Sequence, residues 1–264
     1  SRGGYLGAQF DAFKVFDPGR GLHNMRPPVD ATRQEKRLAN LETVSQSFRA
    51  GRRISSEKTL HRHTVEAALQ MMASPQLEAF DLAREDKSKL AKYGDTPFGR
   101  GCLVARRLVE RGVRAVEVTL NGFDTHANNH EGHKTQAAIL DPAFSALMAD
   151  LKALDLLDST IVLCLGEFGR TPRINALSGR DHWPNGFSCL IGGGGLKSGL
   201  VIGETDPRGV RKEPADPVKV PDLFATILAA MGVDFAKEII TPIGRPMKVS
   251  AGSPIARLWD GTPG

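Results

Sequence analysis

The stretch TIVLCLGEFGRTPRINALSGRDHWP, residues 160–184, decides the expected fold. Its run 161–165 is short and continuously apolar, which is typical of a strand buried on both faces of a parallel sheet. Gly166 ends the run, and Glu167 follows at the carboxyl end of the strand. Open α/β sheets bind their ligands outside that edge. The stretch therefore predicts a parallel α/β sheet with a polar site beside Glu167.

A second helix–strand–loop unit precedes this stretch. A helix ending near Gly112 leads into a predicted strand over 113–120, and the polar loop NGFDTH follows at 121–126. A long helix predicted over 131–157 then enters the strand at 160–165. Because helix, strand and polar loop occur twice in this order, the sequence favours a parallel sheet whose loops meet at one edge.

Composition excludes several classes of protein. The chain of 264 residues is long enough for one large domain, and its net charge of +5 comes from Lys and Arg that are scattered along the sequence. Scattered basic residues argue against a nucleic-acid binder. No apolar run is long enough to span a bilayer. The three cysteines are too few and too far apart for a disulfide framework or a CxxC metal site.

Asp124 and His126 lie two residues apart just after a predicted strand, which suits a metal site. Zinc and related metals take carboxylate oxygen and imidazole nitrogen ligands gathered from separate loops. The alternative is that Asp124 caps a turn and His126 lies on the surface. His130 and His133 follow at the start of the next helix, where solvated positions are favoured.

Glu167, Arg170 and the pair Asp181–His182 add further charge to the same region. A glutamate directly after a buried strand needs a cation or a hydrogen bond to offset its desolvation. Either a metal or a salt bridge to Arg170 would serve. Asp181 is a candidate partner that holds an imidazole in place, as carboxylates often do for histidines that bind metals.

Five segments together resemble one uncharacterised bacterial family. They are NGFDTHA at 121–127, GEFGRTPRIN at 166–175, GRDHWP at 179–184, IGGGGLKSGLVIGETD at 191–206 and PDLFATILAAMGV at 221–233. The family is a domain of unknown function, number 1501, which is placed in the alkaline phosphatase and sulfatase superfamily. The resemblance extends from Gly3 to Leu258.

The resemblance implies a doubly wound, mostly parallel α/β sheet flanked by helices. In that superfamily an Asp and a His after one strand, with a later His, hold a divalent metal, and Asp124, His126 and His182 match those places. Zinc, manganese and calcium are the candidate ions. A second metal is usually held in part by an Asp-His pair after the central strand, where this chain has Glu167 and Phe168, so Glu167 is a further expected ligand and that site has one ligand fewer.

The resemblance also implies an N-terminally truncated member of the family. The first-strand Asp and the nucleophile are expected upstream of Ser1, as is the export signal with paired arginines that such proteins usually carry. We therefore expect one domain over 1–264 without its N-terminal strand, with a helical insertion at 30–90, in an exported or periplasmic protein.

The function expected from these features is metal-dependent hydrolysis of sulfate or phosphate esters. The substrate would be a small-molecule or glycan anionic ester, and Arg170 would be catalytic, because its guanidinium fork matches tetrahedral oxyanions. The alternative is a non-catalytic exported binding protein that keeps the fold. The sequence predicts no oligomeric state.

Overall fold

The computed structural model describes residues 3–50, 61–241 and 243–259, and the chain divides into two units at Glu85. The first unit, 1–85, contains the helices α1 (Ala31–Ala50) and α2 (His61–Met72). The carboxylate of Asp30 accepts a hydrogen bond of 2.9 Å from the Arg33 N–H and so caps the start of α1.

Short 3₁₀ turns make up the remaining regular structure of the first unit. They span Gly4–Leu6, Ala8–Phe10, Pro18–Arg20, Pro75–Phe80 and Leu82–Arg84. Phe13 and Phe80 pack edge to face, with ring centroids 6.4 Å apart. The predicted insertion at 30–90 covers both helices of this unit, and its residues 51–60 lie outside the described residues. The single domain over 1–264 stays a prediction.

Three helices supply most of the core of the second unit, 86–264. They are α3 (Lys87–Tyr93), α4 (Pro97–Glu110) and α5 (Asn129–Ala153), and α4 and α5 pack against each other. The side chains of Tyr93, Leu103 and Leu151 are fully buried. The hydroxyl of Thr96 accepts a hydrogen bond from the Gly99 N–H and so caps the start of α4.

The strands of the described residues form three separate two-stranded pairs. β1 (Ile161–Cys164) pairs with β4 (Leu190–Gly193), β2 (Gly169–Arg170) with β3 (His182–Trp183), and β5 (Glu238–Ile240) with β6 (Pro246–Lys248). All three pairs are antiparallel.

The predicted doubly wound parallel sheet is therefore wrong. The run 161–165 does form a strand, but its partner β4 is antiparallel and all four β1 residues are only half-buried. No strand is assigned to 113–120, where Ala115 and Val116 are exposed. A short apolar run predicts an extended segment but not the direction of its partner, because that partner lies far away in sequence.

The glycines at the end of β4 explain why β1 and β4 can meet so closely. Gly193 has φ of +74°, and a Cβ at this position would lie 2.1 Å from the carbonyl oxygen of Thr160. The Gly194 N–H donates to the carbonyl of Leu157 at 2.9 Å. The run Gly192–Gly195 thus serves a close backbone approach.

The C-terminal part of the second unit is organised by the helix α6 (Val220–Ala230). The hydroxyl of Thr226, which is fully buried, accepts a hydrogen bond from the Ile255 N–H at 2.9 Å. The Ser250 hydroxyl donates to the Pro221 carbonyl at 2.8 Å. These bonds attach the tail to the helix. Within the described part of the chain, no helix combines the length and the apolarity needed to cross a membrane.

Candidate metal centre

Two chain segments bring Asp124, His126 and His182 together. Asp124 and His126 lie in the loop before α5, and His182 is the first residue of β3. β3 pairs with β2 so that His182 stands opposite Arg170. Gly169 permits this pairing, because a Cβ there would lie 2.1 Å from the carbonyl oxygen of Gly186. Residues that are more than fifty positions apart thus meet at one point.

The three ligand atoms form a small triangle. The Nε2 atoms of His126 and His182 lie 3.2 Å apart, and they lie 3.1 and 2.8 Å respectively from Oδ1 of Asp124. These are the three atoms that could hold a metal ion in the described part of the chain. The side chains are 47–68% exposed, which leaves the centre open to water or a substrate.

The triangle fits a first-row divalent ion. Bonds of about 2.0–2.1 Å in a tetrahedron put neighbouring ligands about 3.3 Å apart, close to the observed separations. The three atoms are therefore close enough together for Asp124, His126 and His182 to hold a single ion. Two histidines and one carboxylate with a remaining open position are the ligand pattern of many catalytic zinc sites.

Asp181 orients one of the imidazoles. Its Oδ1 lies 3.1 Å from Nδ1 of His126, and because an ionised carboxylate only accepts, the proton of this bond belongs to Nδ1. Nε2 of His126 therefore faces the centre with its lone pair. The partner predicted for an imidazole is thus found next to His126, and not next to its sequence neighbour His182.

Phe168 packs on the other imidazole. Its ring lies 4.1 Å from that of His182 between centroids, at an interplanar angle of 35°. Phe168 is therefore an apolar neighbour of a candidate ligand. Sequence analysis did not predict this contact, since nothing in the local pattern relates Phe168 to His182.

Arg170 joins the two segments of the centre. Its guanidinium donates to Oδ1 of Asp124 at 2.7 Å and to the carbonyl oxygens of Phe123 at 2.8 Å and Arg180 at 3.1 Å. The side chain is only 13% exposed. Its predicted contact with an anionic substrate stays a prediction, and the geometry gives it a role in holding Asp124.

Glu167 is not part of the cluster. It is exposed, so the desolvation expected for a glutamate beside a buried strand does not arise. The alternative salt bridge to Arg170 is also missing, since among the described residues Arg170 pairs with Asp124. The role of Glu167 as a metal ligand stays a prediction without support from the geometry.

The charges of the centre favour a cation. Hydrogen bonds from Arg170 and then from His182 lower the pKa of Asp124 to about 2. Hydrogen bonds from His126 and Asn175 lower the pKa of Asp181 as well. Both carboxylates are therefore ionised at neutral pH.

His133 lies deeper than the solvated position expected for it. It is half-buried and packs edge-on against Phe123, with ring centroids 5.5 Å apart. Burial, followed by the charges of Arg170 and Arg180, lowers the pKa of His133. The neutral ring therefore supports the loop of Asp124 as a packing residue. His130 is exposed, as predicted.

Comparison with known proteins gives a family and no activity. No curated protein and no solved structure matches the chain. One family model, described as "Protein of unknown function (DUF1501)", matches residues 1–259. The motifs that carry the candidate centre, at 121–127, 166–175 and 179–184, all lie within that match. The chain belongs to the DUF1501 family.

Proposed function

We propose that this protein binds one divalent metal ion through Asp124, His126 and His182 and uses it to hydrolyse a sulfate or phosphate ester. The observation that carries the metal-binding part is the triangle of ligand atoms, with sides of 2.8–3.2 Å. Ionised Asp124 and the oriented lone pair of His126 supply donors without further rearrangement.

The donor set favours zinc or manganese over calcium. Calcium takes six to eight oxygen ligands, whereas imidazole nitrogen suits the transition metals. Two of the three donors are nitrogen atoms. Zinc is therefore the first ion to test and manganese is the second. Calcium serves as the negative control.

The ester-hydrolysis part of the proposal rests on the superfamily resemblance. A bound divalent ion would polarise the ester oxygen and offset the negative charge that develops in an in-line displacement. Arg170 would keep Asp124 in place and add positive charge beside it. The substrate is a small-molecule or glycan ester with an anionic group, and export to the periplasm belongs to the same proposal.

One observation favours the alternative, an exported protein that binds a metal or anion without catalysis. Three hydrogen bonds of Arg170 are already made to Asp124 and to two backbone carbonyls. An arginine used in this way has fewer N–H groups left for a substrate anion. Phe168 likewise offers no ligand atom for a second ion.

Two measurements test the proposal in order. Calorimetric titration of the metal-free protein with zinc, manganese and calcium should give one site for zinc with a dissociation constant in the micromolar range or below. Turnover of p-nitrophenyl phosphate and p-nitrophenyl sulfate by the zinc-loaded protein then separates the enzyme from the binding protein. Zinc binding weaker than millimolar would overturn the whole proposal, and zinc binding without turnover would leave the alternative.

A further inference from the structure

Asn175 uses all the hydrogen-bonding groups of its side chain in the loop beside the centre. Its amide nitrogen donates to the backbone carbonyl of His126 at 3.0 Å and to Oδ1 of Asp181 at 3.2 Å. Its amide oxygen accepts from the N–H groups of Leu177 and Gly179, both at 2.9 Å. The donor half therefore faces the centre, and the acceptor half shapes the loop.

The donor half completes a cycle of hydrogen bonds around His126, which is one of the candidate ligands. Asp181 holds Nδ1 of the His126 ring, and Asn175 holds both Asp181 and the main chain of His126. The backbone and the side chain of His126 are thus fixed by a single amide group. An imidazole whose main chain and Nδ1 are both held by hydrogen bonds keeps its orientation and keeps its proton on Nδ1.

The loop and the His126 segment are also joined by main-chain bonds. The N–H groups of Asn128 and Asn129 donate to the carbonyls of Leu177 and Ser178 at 3.1 and 2.9 Å. At Gly179 a Cβ would lie 1.9 Å from the carbonyl oxygen of His126, so the two segments approach as closely as glycine allows. These contacts would preserve the loop if the Asn175 donor alone were removed.

We infer that Asn175 is a positioning residue of the metal centre, which acts through Asp181 to keep His126 protonated at Nδ1 and its Nε2 directed at the ion. The inference rests on the proposed metal binding. It goes beyond it by giving a role to a residue that contacts neither the ion nor a substrate.

Two substitutions of Asn175 distinguish the role of its amide donor from the role of its acceptor, which shapes the loop. Asn175→Asp keeps an acceptor for Leu177 and Gly179 and removes the amide donor, whereas Asn175→Ala removes both. Asn129→Ala is the matched control, because the Asn129 side chain donates to the Thr125 hydroxyl and contacts neither imidazole nor Asp181. Partners of this kind typically contribute 10- to 100-fold to metal affinity.

Zinc affinity, measured by chelator competition, should therefore fall 10- to 100-fold in Asn175→Ala and Asn175→Asp and stay within about twofold in Asn129→Ala. In an Asp181→Asn background, Asn175→Ala should have a smaller effect, because the two residues act in series. Wild-type affinity in Asn175→Asp would overturn the inference and leave the proposed function intact.

The tautomer of His126 gives a readout that needs no metal. Long-range ¹H–¹⁵N spectra of the metal-free wild type should show His126 protonated at Nδ1, and both Asn175 variants should show a mixture of tautomers. A wild type that binds no zinc would overturn the proposed function. An unchanged tautomer in both variants would overturn the role of Asn175, whatever the wild type binds.

Discussion

The core around α4 and α5 and the loops of the candidate centre are held together by different forces. The core buries apolar side chains such as Leu103 and Leu151 out of contact with water. The three candidate ligands of the centre are 47–68% exposed, and hydrogen bonds and ion pairs join Asp124, Arg170 and Asp181 to their neighbours. Apolar burial dominates folding stability, whereas exposed ion pairs contribute little to it. Stability and chemistry should therefore respond to different substitutions.

The largest effect on stability is expected in the core. Leu103→Ala removes a fully buried side chain from α4 and should lower the free energy of unfolding by about 2–5 kcal/mol, while zinc affinity stays unchanged. Urea unfolding and calorimetry of the same sample would measure both. Leu154→Ala, at a leucine that is 43% exposed after α5, is the matched control and should cost much less. Equal losses in the two variants would contradict the core described above.

At the candidate ligands we expect a large loss of zinc affinity and little change in the free energy of unfolding. His182→Ala or Asp124→Ala removes one of three donors and should weaken zinc binding at least about 100-fold, about 2.8 kcal/mol. The metal-free unfolding free energy of His182→Ala should change by less than about 1 kcal/mol, because His182 is half-exposed. His130→Ala, at an exposed histidine outside the cluster, should bind zinc as the wild type does. A loss of binding in His130→Ala as well would place the zinc elsewhere.

A smaller effect on the free energy of unfolding is expected from one buried hydrogen bond in the core. The Tyr93 hydroxyl donates to Oδ2 of Asp150 at 3.0 Å, and burial followed by this bond raises the pKa of Tyr93, so the phenol stays neutral. Tyr93→Phe should cost about 1 kcal/mol of unfolding free energy, the usual net worth of one hydrogen bond. Thermal unfolding measures the difference, and a more stable variant would show that the bond contributes nothing.

The smallest effect is a pH dependence at the centre. Because the pKa of Asp124 is lowered to about 2, its ionised form stabilises the folded protein above about pH 4, and this contribution is lost as the pH falls towards 2. In the metal-free proteins, the free energy of unfolding of the wild type should exceed that of Asp124→Asn above about pH 4. This difference should shrink as the pH falls towards 2. Urea unfolding between pH 4.5 and 2 measures it. Asp158→Asn is the control, because it removes one carboxylate charge at an exposed position outside the centre. The pH dependence that Asp124→Asn shows beyond this control belongs to the centre.

Local signals predicted the long helix α5 and singled out Asp124, His126 and His182 as candidate ligands, whereas the further candidate Glu167 lies outside their cluster. The helix predicted over 131–157 corresponds to α5 (Asn129–Ala153), which ends four residues earlier than predicted. Asp124 and His126 could be singled out because polar residues cluster in one short loop, and the later His182 because a family pattern links it to them. The signals for α5, Asp124 and His126 are each contained within neighbouring residues, whereas the signal for His182 depends on the family pattern.

The pairing of strands could not be predicted in the same way. The run 161–165 indicates an extended segment, but its antiparallel partner β4 is fixed by the close approach at Gly193, which has no local signature. The contacts of Asn175 with Asp181 and of Phe168 with His182 likewise depend on how two loops fold back on each other. Long-range geometry of this kind becomes visible only in three dimensions.

The central claim is that three side chains from two distant loops share one metal ion. Crystals grown with zinc and measured on both sides of the zinc absorption edge test it most directly. We expect one anomalous peak about 2.0–2.2 Å from Nε2 of His126, Nε2 of His182 and Oδ1 of Asp124. No peak at this point, or a peak bound by other side chains, would show that these three side chains do not share an ion.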